Sequence, residues 1–206
     1  MAYSDFTINQ LTQRFGLTIR ASASLFAATA EADLPPHLAT SLERYVPLAL
    51  NLNTEKAKSE LVIAPVLLEL KLRYPDQLSL FSGLDFPVDS AAGLIGRCDF
   101  LVARNPQQLA LIAPVCVVVE AKNENMIAGI PQALAEMVAA RRFNEQAGTP
   151  ITPIYGVVTT GMLWRFLKLE GDVAHVDAVE YPIQSPARIF GILTVIALGE
   201  PGGSED

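Results

Sequence analysis

Hydrophobic and polar positions along the chain predict two long helices and a set of short strands. Apolar residues recur at helical spacing after a capping position at Asn53 or Thr54, so we expect a helix that ends at Arg73, before Pro75. A second helix is expected over residues 127–146. Short runs rich in β-branched residues are typical of strands. These strands are expected over residues 79–86, 97–103, 111–121, 155–159 and 162–169.

The order of these elements predicts an α/β or α+β fold with a mixed central sheet flanked by helices. A length of 206 residues is suited to a single domain. Within that domain we expect four parts. They are a helical extension over 1–53, a core over 54–170, a packing segment over 171–198 and a disordered tail over 199–206.

Hydropathy and cysteine content bear on where the protein resides. The longest apolar runs, such as residues 115–119, are far shorter than the ~20 residues that cross a bilayer, so no membrane partner is expected. The N-terminus lacks the basic and apolar regions of a secretory signal. Cys98 and Cys116 lie in apolar strand-like runs, which indicates buried thiols in a reducing compartment. These features together predict a cytoplasmic protein.

The net charge is −7, which argues against a protein that coats nucleic acid electrostatically. Any contact with DNA must therefore be local. One stretch, residues 140–169, has four basic residues and a single acidic one, Glu145. The basic residues are Arg141, Arg142, Arg165 and Lys168. This stretch is the predicted basic patch.

Two strands carry charged residues that could form a site. The apolar run 115–119 leads directly into Glu120 and Lys122, whose side chains lie on one side of the strand, about 6 to 7 Å apart along the backbone. Asp99 lies in the strand over 97–103, where propensity disfavours an acidic residue. The alternatives are a surface ion pair for Glu120 and Lys122 and an outward-facing strand residue for Asp99.

The first long helix supplies another acidic candidate. Apolar residues flank Glu60 on both sides of the helical wheel, so its carboxylate is expected to point into the core and to need a cation or a metal. Lys71 is a competing partner for Glu60. Glu69 falls on the opposite side and is predicted to be solvated. Pro65 should kink or restart this helix.

Three carboxylates and a lysine then suggest one kind of chemistry. The carboxylates of Asp99, Glu120 and Glu60 offer only oxygen ligands, which suit Mg²⁺ or Mn²⁺ better than zinc. A metal ion held there lowers the pKa of a bound water and neutralises charge on a phosphate. Lys122 would orient that water or stabilise the transition state. The predicted reaction is phosphodiester hydrolysis.

The order and context of these residues resemble the PD-(D/E)XK nuclease superfamily over residues 54–170. The resemblance implies a restriction-endonuclease-like fold in which Glu60, Asp99 and the E-x-K residues Glu120 and Lys122 bind the metal and activate water. Cys98 stands where the superfamily's first motif often has a proline.

Two further segments are similar to members of this superfamily. The segment 123–137 resembles one in which a helix carries a glutamine back toward the site, which implies a catalytic role for Gln132. Glu136 shares the helical face of Gln132; both could instead be ordinary polar helix residues. The hairpin over 155–169 is similar to the closing strands of the nuclease domain of type I restriction subunits, with Trp164 as packing.

Three classes of function follow from this sequence. The leading hypothesis is a Mg²⁺-dependent endonuclease, a hydrolase that acts on DNA. The second is a catalytically silent nucleic-acid-binding protein with the same fold. The third is an oligomeric scaffold, such as a homodimer, in which residues 21–52 form the interface.

Overall fold

The computed structural model of the chain describes residues 1–199 and shows a mixed α/β fold, as the sequence predicts. The helices are α1 Ile8–Phe15, α2 Pro36–Leu52, α3 Glu55–Lys58, α4 Ala64–Arg73, α5 Met126–Gln146 and α6 Pro186–Leu198. The strands are β1 Thr18–Ser22, β2 Ser79–Asp85, β3 Arg97–Ala103, β4 Val115–Ala121, β5 Ile154–Thr159, β6 Leu163–Glu170, β7 Val173–Asp177 and β8 Tyr181–Pro182. Residues 200–206, most of the predicted tail, lie outside the described residues.

Within residues 1–199 the strands form one eight-stranded sheet in the order β1-β7-β6-β5-β4-β3-β2, with β8 paired to β6. The β4/β5 and β1/β7 pairs are parallel, and the other pairs are antiparallel. Segments 1–53 and 171–198, predicted as an extension and a packing segment, both contribute strands to this sheet. None of the described helices has the length and apolar character needed to span a membrane.

Two hydrophobic layers enclose the sheet. On one face α5 packs on β4 and β5, with α1 and the N-terminal residues beside it. On the other face lie α2, α4 and α6. The β4 strand is buried along its whole length, which explains its continuous run of β-branched residues. The site residues at the end of β4 are therefore held by a strand that is enclosed along its whole length.

A single side chain fixes α5 to the start of β4. The backbone N–H of Val115 donates to Asn144 Oδ1 at 2.7 Å, and Asn144 Nδ2 donates to the Val115 carbonyl at 2.8 Å. Asn144 is fully buried, and its side-chain amide bonds to the backbone of Val115 in the way that a residue of a neighbouring strand would. Because both partners are satisfied, this clamp sets the position of α5 along the sheet.

The predicted helix over residues 54–73 is interrupted in the middle. A π-helical turn, Ser59–Ile63, separates α3 from α4, and Pro65 lies in the first turn of α4. Proline has no N–H to donate to the preceding turn, so the wider π turn accommodates it. The expected disturbance at Pro65 is confirmed, and it changes the direction of side chains around residue 60.

Candidate active site

Asp99 and Glu120 lie beside each other on adjacent strands. Phe100 on β3 pairs with Val119 on β4, which places Asp99 next to Glu120. The half-buried Asp99 side chain accepts a hydrogen bond through Oδ2 from the backbone N–H of Ala121, at 2.8 Å. Asp99 is thus directed at the end of β4 rather than away from the sheet.

Glu120 and Lys122 form an ion pair that is largely removed from solvent. Lys122 Nζ donates to Glu120 Oε1 at 2.5 Å, and the two side chains are only 25% and 3% exposed, respectively. The alternative of a surface ion pair is therefore wrong. Burial opposes the charge of Lys122, but the hydrogen bond and charge of Glu120 outweigh it and raise the pKa of the lysine. Lys122 is an ammonium ion at neutral pH.

The α5 helix brings two more polar side chains to this pair. Lys122 Nζ also donates to Gln132 Oε1 at 3.1 Å. Gln132 Nε2 donates in turn to Glu136 Oε1 at 3.2 Å. The structure thus joins Gln132 to the predicted strand residues, and Glu136 completes a chain of four polar side chains.

Gly129 allows α5 to approach the strands closely enough for these contacts. A Cβ atom at this position would lie 2.8 Å from Val158 Cγ1 and 3.0 Å from Lys122 Cγ. Real Cβ contacts essentially never occur at the first of these distances. The absence of a side chain at Gly129 therefore leaves the space in which the Lys122 stem lies.

The carboxyl groups of Glu120 and Glu136 interact with each other inside the protein. Within residues 1–199, Glu120 Oε2 and Glu136 Oε2 are buried without a conventional hydrogen-bond partner. Burial, followed by the Asp99 charge, raises the pKa of Glu120 to about 7 against the opposing effect of Lys122. Burial, followed by the Glu120 charge, raises the pKa of Glu136 well above its usual value. Protonation of one carboxyl group removes the repulsion between the two ionised groups.

The prediction that Glu60 points into the core is wrong. Its side chain is 63% exposed and forms an ion pair with Lys56 at 3.1 Å. The π turn shifts the angular position of the following residues, so Val62 and Ile63 occupy the buried face instead. Glu60 does line a polar cleft of about 280 Å³ together with Asp99. Its role as a metal ligand stays a prediction.

Glu69 and Lys71 also differ from expectation. Glu69, predicted to be solvated, is buried and its Oε2 lies 2.7 Å from Nε2 of His37 on α2. Lys71, the competing partner for Glu60, instead donates to the carbonyl of Pro75 at 2.7 Å. The uniform helical wheel therefore fails both within the π turn, at Glu60, and after it, at Glu69.

The predicted basic patch over residues 140–169 is neutralised in the fold. Each of its four basic side chains is ion-paired with an acidic one. The pairs are Arg141–Asp172, Arg142–Asp89, Arg165–Glu180 and Lys168–Glu170. All four of these acids lie outside the stretch, so a count of charge along it overestimates the free positive charge.

Lys58 is a site-proximal residue that the sequence reasoning missed. Its side chain is buried, and Nζ donates to the Asn123 carbonyl at 2.9 Å and to Asn123 Oδ1 at 3.1 Å. These bonds tie α3 to the segment that follows Lys122. The signal was available, because Lys58 precedes the apolar Val62 and Val66 at i, i+4 and i+8 on one helical face.

The predicted buried thiols are confirmed. Cys98 and Cys116 are both buried and unpaired. Burial raises the pKa of Cys98, and the nearby Glu136 charge adds to this effect. The thiol is therefore protonated, which makes Cys98 a packing residue under the site and a poor nucleophile.

The donor set fits a metal site of two carboxylates better than one of three. Among residues 1–199, no group of three or more histidine, cysteine, aspartate or glutamate side chains is arranged to hold a metal ion. Mg²⁺, however, keeps several waters and is often bound through one or two carboxylates and substrate phosphates. Asp99 and Glu120 supply such a pair.

No family model matches the sequence, and no curated protein matches it either. The resemblance to the PD-(D/E)XK nuclease superfamily carried by Glu60, Asp99, Glu120, Lys122 and Gln132 therefore stays a prediction.

Proposed function

We propose that the chain is a metal-dependent nuclease that hydrolyses phosphodiester bonds in DNA with Mg²⁺ or Mn²⁺. The observation that carries this proposal is the enclosed Glu120–Lys122 ion pair at the end of a buried strand, with Asp99 beside it on the next strand. Buried charges are costly, and a strand end that keeps three of them together is the arrangement expected of a reactive site.

The residues have distinct roles in this proposal. Asp99 and Glu120 would hold the ion, which supplies an activated water and neutralises phosphate charge when bound. Lys122 is an ammonium ion whose donors can orient water or stabilise negative charge that develops on the phosphate. Gln132 accepts from Lys122 and restrains its position. Glu60 lines the cleft from the other side, where its exposed carboxylate can contact water.

A cleavage assay with matched variants tests the proposal. Purified protein is incubated with single-stranded DNA, duplex DNA and RNA, with Mg²⁺, with Mn²⁺ or with EDTA. We expect metal-dependent cleavage of DNA that falls at least about 100-fold in Asp99→Asn and in Lys122→Met, as on removal of one transition-state contact.

Two variants remote from the site serve as controls. Lys71→Met and Asp172→Asn remove a lysine and an aspartate whose side chains bond, within the described part of the chain, to the Pro75 carbonyl and to Arg141, respectively. Both should cleave like the wild type. The nuclease proposal fails if the wild type shows no metal-dependent cleavage, or if the site variants cleave as well as these controls.

A second candidate function, an oligomeric scaffold, is favoured by a separate observation. The α2 helix exposes four large apolar side chains, of which Tyr45, Leu48 and Leu52 share one face at i, i+3 and i+7. They lie in the segment 21–52 that the sequence suggested as an interface. Sedimentation that shows only monomer at high protein concentration would remove this alternative. A silent DNA-binding protein is less favoured, because the basic residues of the patch are ion-paired.

A further inference from the structure

Glu136 is a carboxylic acid in the middle of a buried helix face, and the proposed metal site does not use it. Its side chain has no exposed surface. Burying a carboxyl group is costly unless hydrogen bonds compensate it. Its contacts are with Gln132, through Oε1, with Glu120 and with the Cys98 thiol. Cys98 is a buried packing residue, so any effect of Glu136 on the site passes through Gln132 and Glu120.

Glu136 favours one of the two orientations of the Gln132 side-chain amide. An ammonium group only donates hydrogen bonds, so Lys122 has to meet Oε1 of Gln132 and not Nε2. With Oε1 turned to Lys122, Nε2 needs an acceptor on its other side. Glu136 Oε1 supplies that acceptor at 3.2 Å. The opposite amide orientation would place two donors, Nε2 and Lys122 Nζ, against each other.

The four side chains form a closed arrangement. Lys122 connects Glu120 to Gln132, and Gln132 connects Lys122 to Glu136. Glu136 then contacts Glu120 again. Glu120 at the end of β4 and Lys122 just beyond it lie two residues apart along an extended backbone, and Gln132 and Glu136 lie four residues apart on α5, so each pair points to one side. Removing any one of these four side chains therefore affects the other three.

We propose that Glu136 is a positioning residue, which fixes the amide orientation of Gln132 and thereby holds the Lys122 ammonium group against Glu120. Glu136 acts through Gln132 and touches neither a substrate nor a metal ion. The consequence for cleavage rests on the proposed nuclease function. The effect on Lys122 itself does not depend on that function.

The exchange of the Lys122 ammonium protons with water reports this effect directly. It is measured by NMR at fixed pH in protein with ¹⁵N-labelled lysine. Glu136→Asp shortens the side chain and withdraws the acceptor with little change in packing. We expect exchange to become about fivefold faster, the factor that corresponds to about 1 kcal/mol for one hydrogen bond. Glu136→Gln keeps an acceptor oxygen, and its exchange rate should stay within about twofold of the wild type.

A second variant tests whether the effect passes through Gln132. Gln132→Met removes the amide, so adding Glu136→Asp to it should not accelerate exchange further. Glu69→Asp is the matched control, because Glu69 is also a buried helical glutamate with one side-chain partner. It should leave Lys122 exchange unchanged.

Several results would overturn the proposal. They are unchanged exchange in Glu136→Asp, equal exchange in Glu136→Asp and Glu136→Gln, a full additional effect in the Gln132→Met background, or an equal effect of Glu69→Asp. Cleavage gives a separate reading: Glu136→Asp should lower kcat and leave KM for DNA unchanged. If the wild type does not cleave DNA, the nuclease proposal fails, while the NMR measurement still decides the role of Glu136.

Discussion

The carboxyl groups of Glu120 on β4 and Glu136 on α5 meet in the interior, and a buried oxygen of each lacks a conventional donor within residues 1–199. Burial is the main cause that raises the pKa of both groups. Two carboxylates this close repel each other when both are ionised. The folded state is therefore favoured when one of the two carboxyl groups is protonated and disfavoured when both are ionised. The stability of the fold thus depends on pH.

The stability of the protein should fall as the pH rises through neutrality. The pKa of Glu120 is about 7 in the folded protein, above its ordinary value of 4.5. The folded state thus binds a proton more tightly than the unfolded state. The resulting stabilisation is fully present below about pH 4.5 and is lost as the pH passes about 7. We expect a loss of about 2 kcal/mol in the free energy of unfolding between pH 5 and 8.

Urea denaturation at several pH values measures this loss. Glu120→Gln should flatten the decline, because the substituted side chain cannot ionise. Glu170→Gln, which removes an exposed carboxylate on β6, should retain the wild-type decline. An identical pH dependence in Glu120→Gln and the wild type would show that Glu120 does not titrate near neutrality.

Metal binding, if the nuclease proposal holds, should release protons near neutral pH. A carboxyl group has to be deprotonated before it can bind a cation, and the pKa of Glu120 is about 7 in the metal-free protein. Calorimetric titration with Mn²⁺ at pH 6, in two buffers of different ionisation enthalpy, should give about one proton released per ion. The number should decrease at pH 8. Heats that do not depend on the buffer would contradict this expectation.

The strand residues of the site could be predicted from the sequence, because side chains alternate between the two faces along the whole of a regular strand. The β4 strand is unbroken from Val115 to Ala121, so the side chains of Glu120 and Lys122 do lie together. The fold class followed equally from the order of the elements. The short strands β1 and β7 on one side of the sheet did not, because short strands lack a marked apolar pattern and are defined by pairing with distant segments.

The exposed position of the Glu60 side chain could not be predicted from the sequence. A helical wheel assumes a constant turn per residue, and the π turn Ser59–Ile63 breaks that assumption. Pro65 was a signal that the helix is disturbed, but a proline does not reveal in which direction the side chains rotate. Ion pairs such as Arg142–Asp89 were equally hidden, since the two residues are brought together only by the tertiary fold.

Removing the buried amine of Lys58 should loosen the segment after β4. Lys58→Met retains most of the side-chain volume but leaves the carbonyl and side-chain oxygen of Asn123 without their donor. We expect a loss of about 1–3 kcal/mol in the free energy of unfolding. Backbone hydrogen exchange should also accelerate over residues 123–128.

The control for this prediction lies two residues earlier. Lys56→Met removes an exposed lysine whose ion pair with Glu60 lies on the surface, and surface pairs contribute little to stability. Its denaturation and exchange should match the wild type. Equal behaviour of the two variants would mean that the Lys58–Asn123 contact does not restrain this segment.

Substitution of Gly129 should damage the site more than the fold. In Gly129→Ala the new methyl group would meet Val158 and the stem of Lys122, and overpacking of this kind costs about 1–3 kcal/mol. The helix propensity of alanine offsets about 1 kcal/mol of that cost, so thermal denaturation should reveal only a modest loss. The displaced Lys122 stem, however, moves the ammonium group away from Glu120 and Gln132, and Lys122 proton exchange should accelerate several-fold.

Gly191→Ala is the control for this prediction. Its methyl group would meet the backbone of Ala30, remote from Lys122. It should therefore destabilise the fold without changing Lys122 exchange in the protein that remains folded. Equal Lys122 exchange in Gly129→Ala and in the wild type would show that close packing of α5 does not position this lysine.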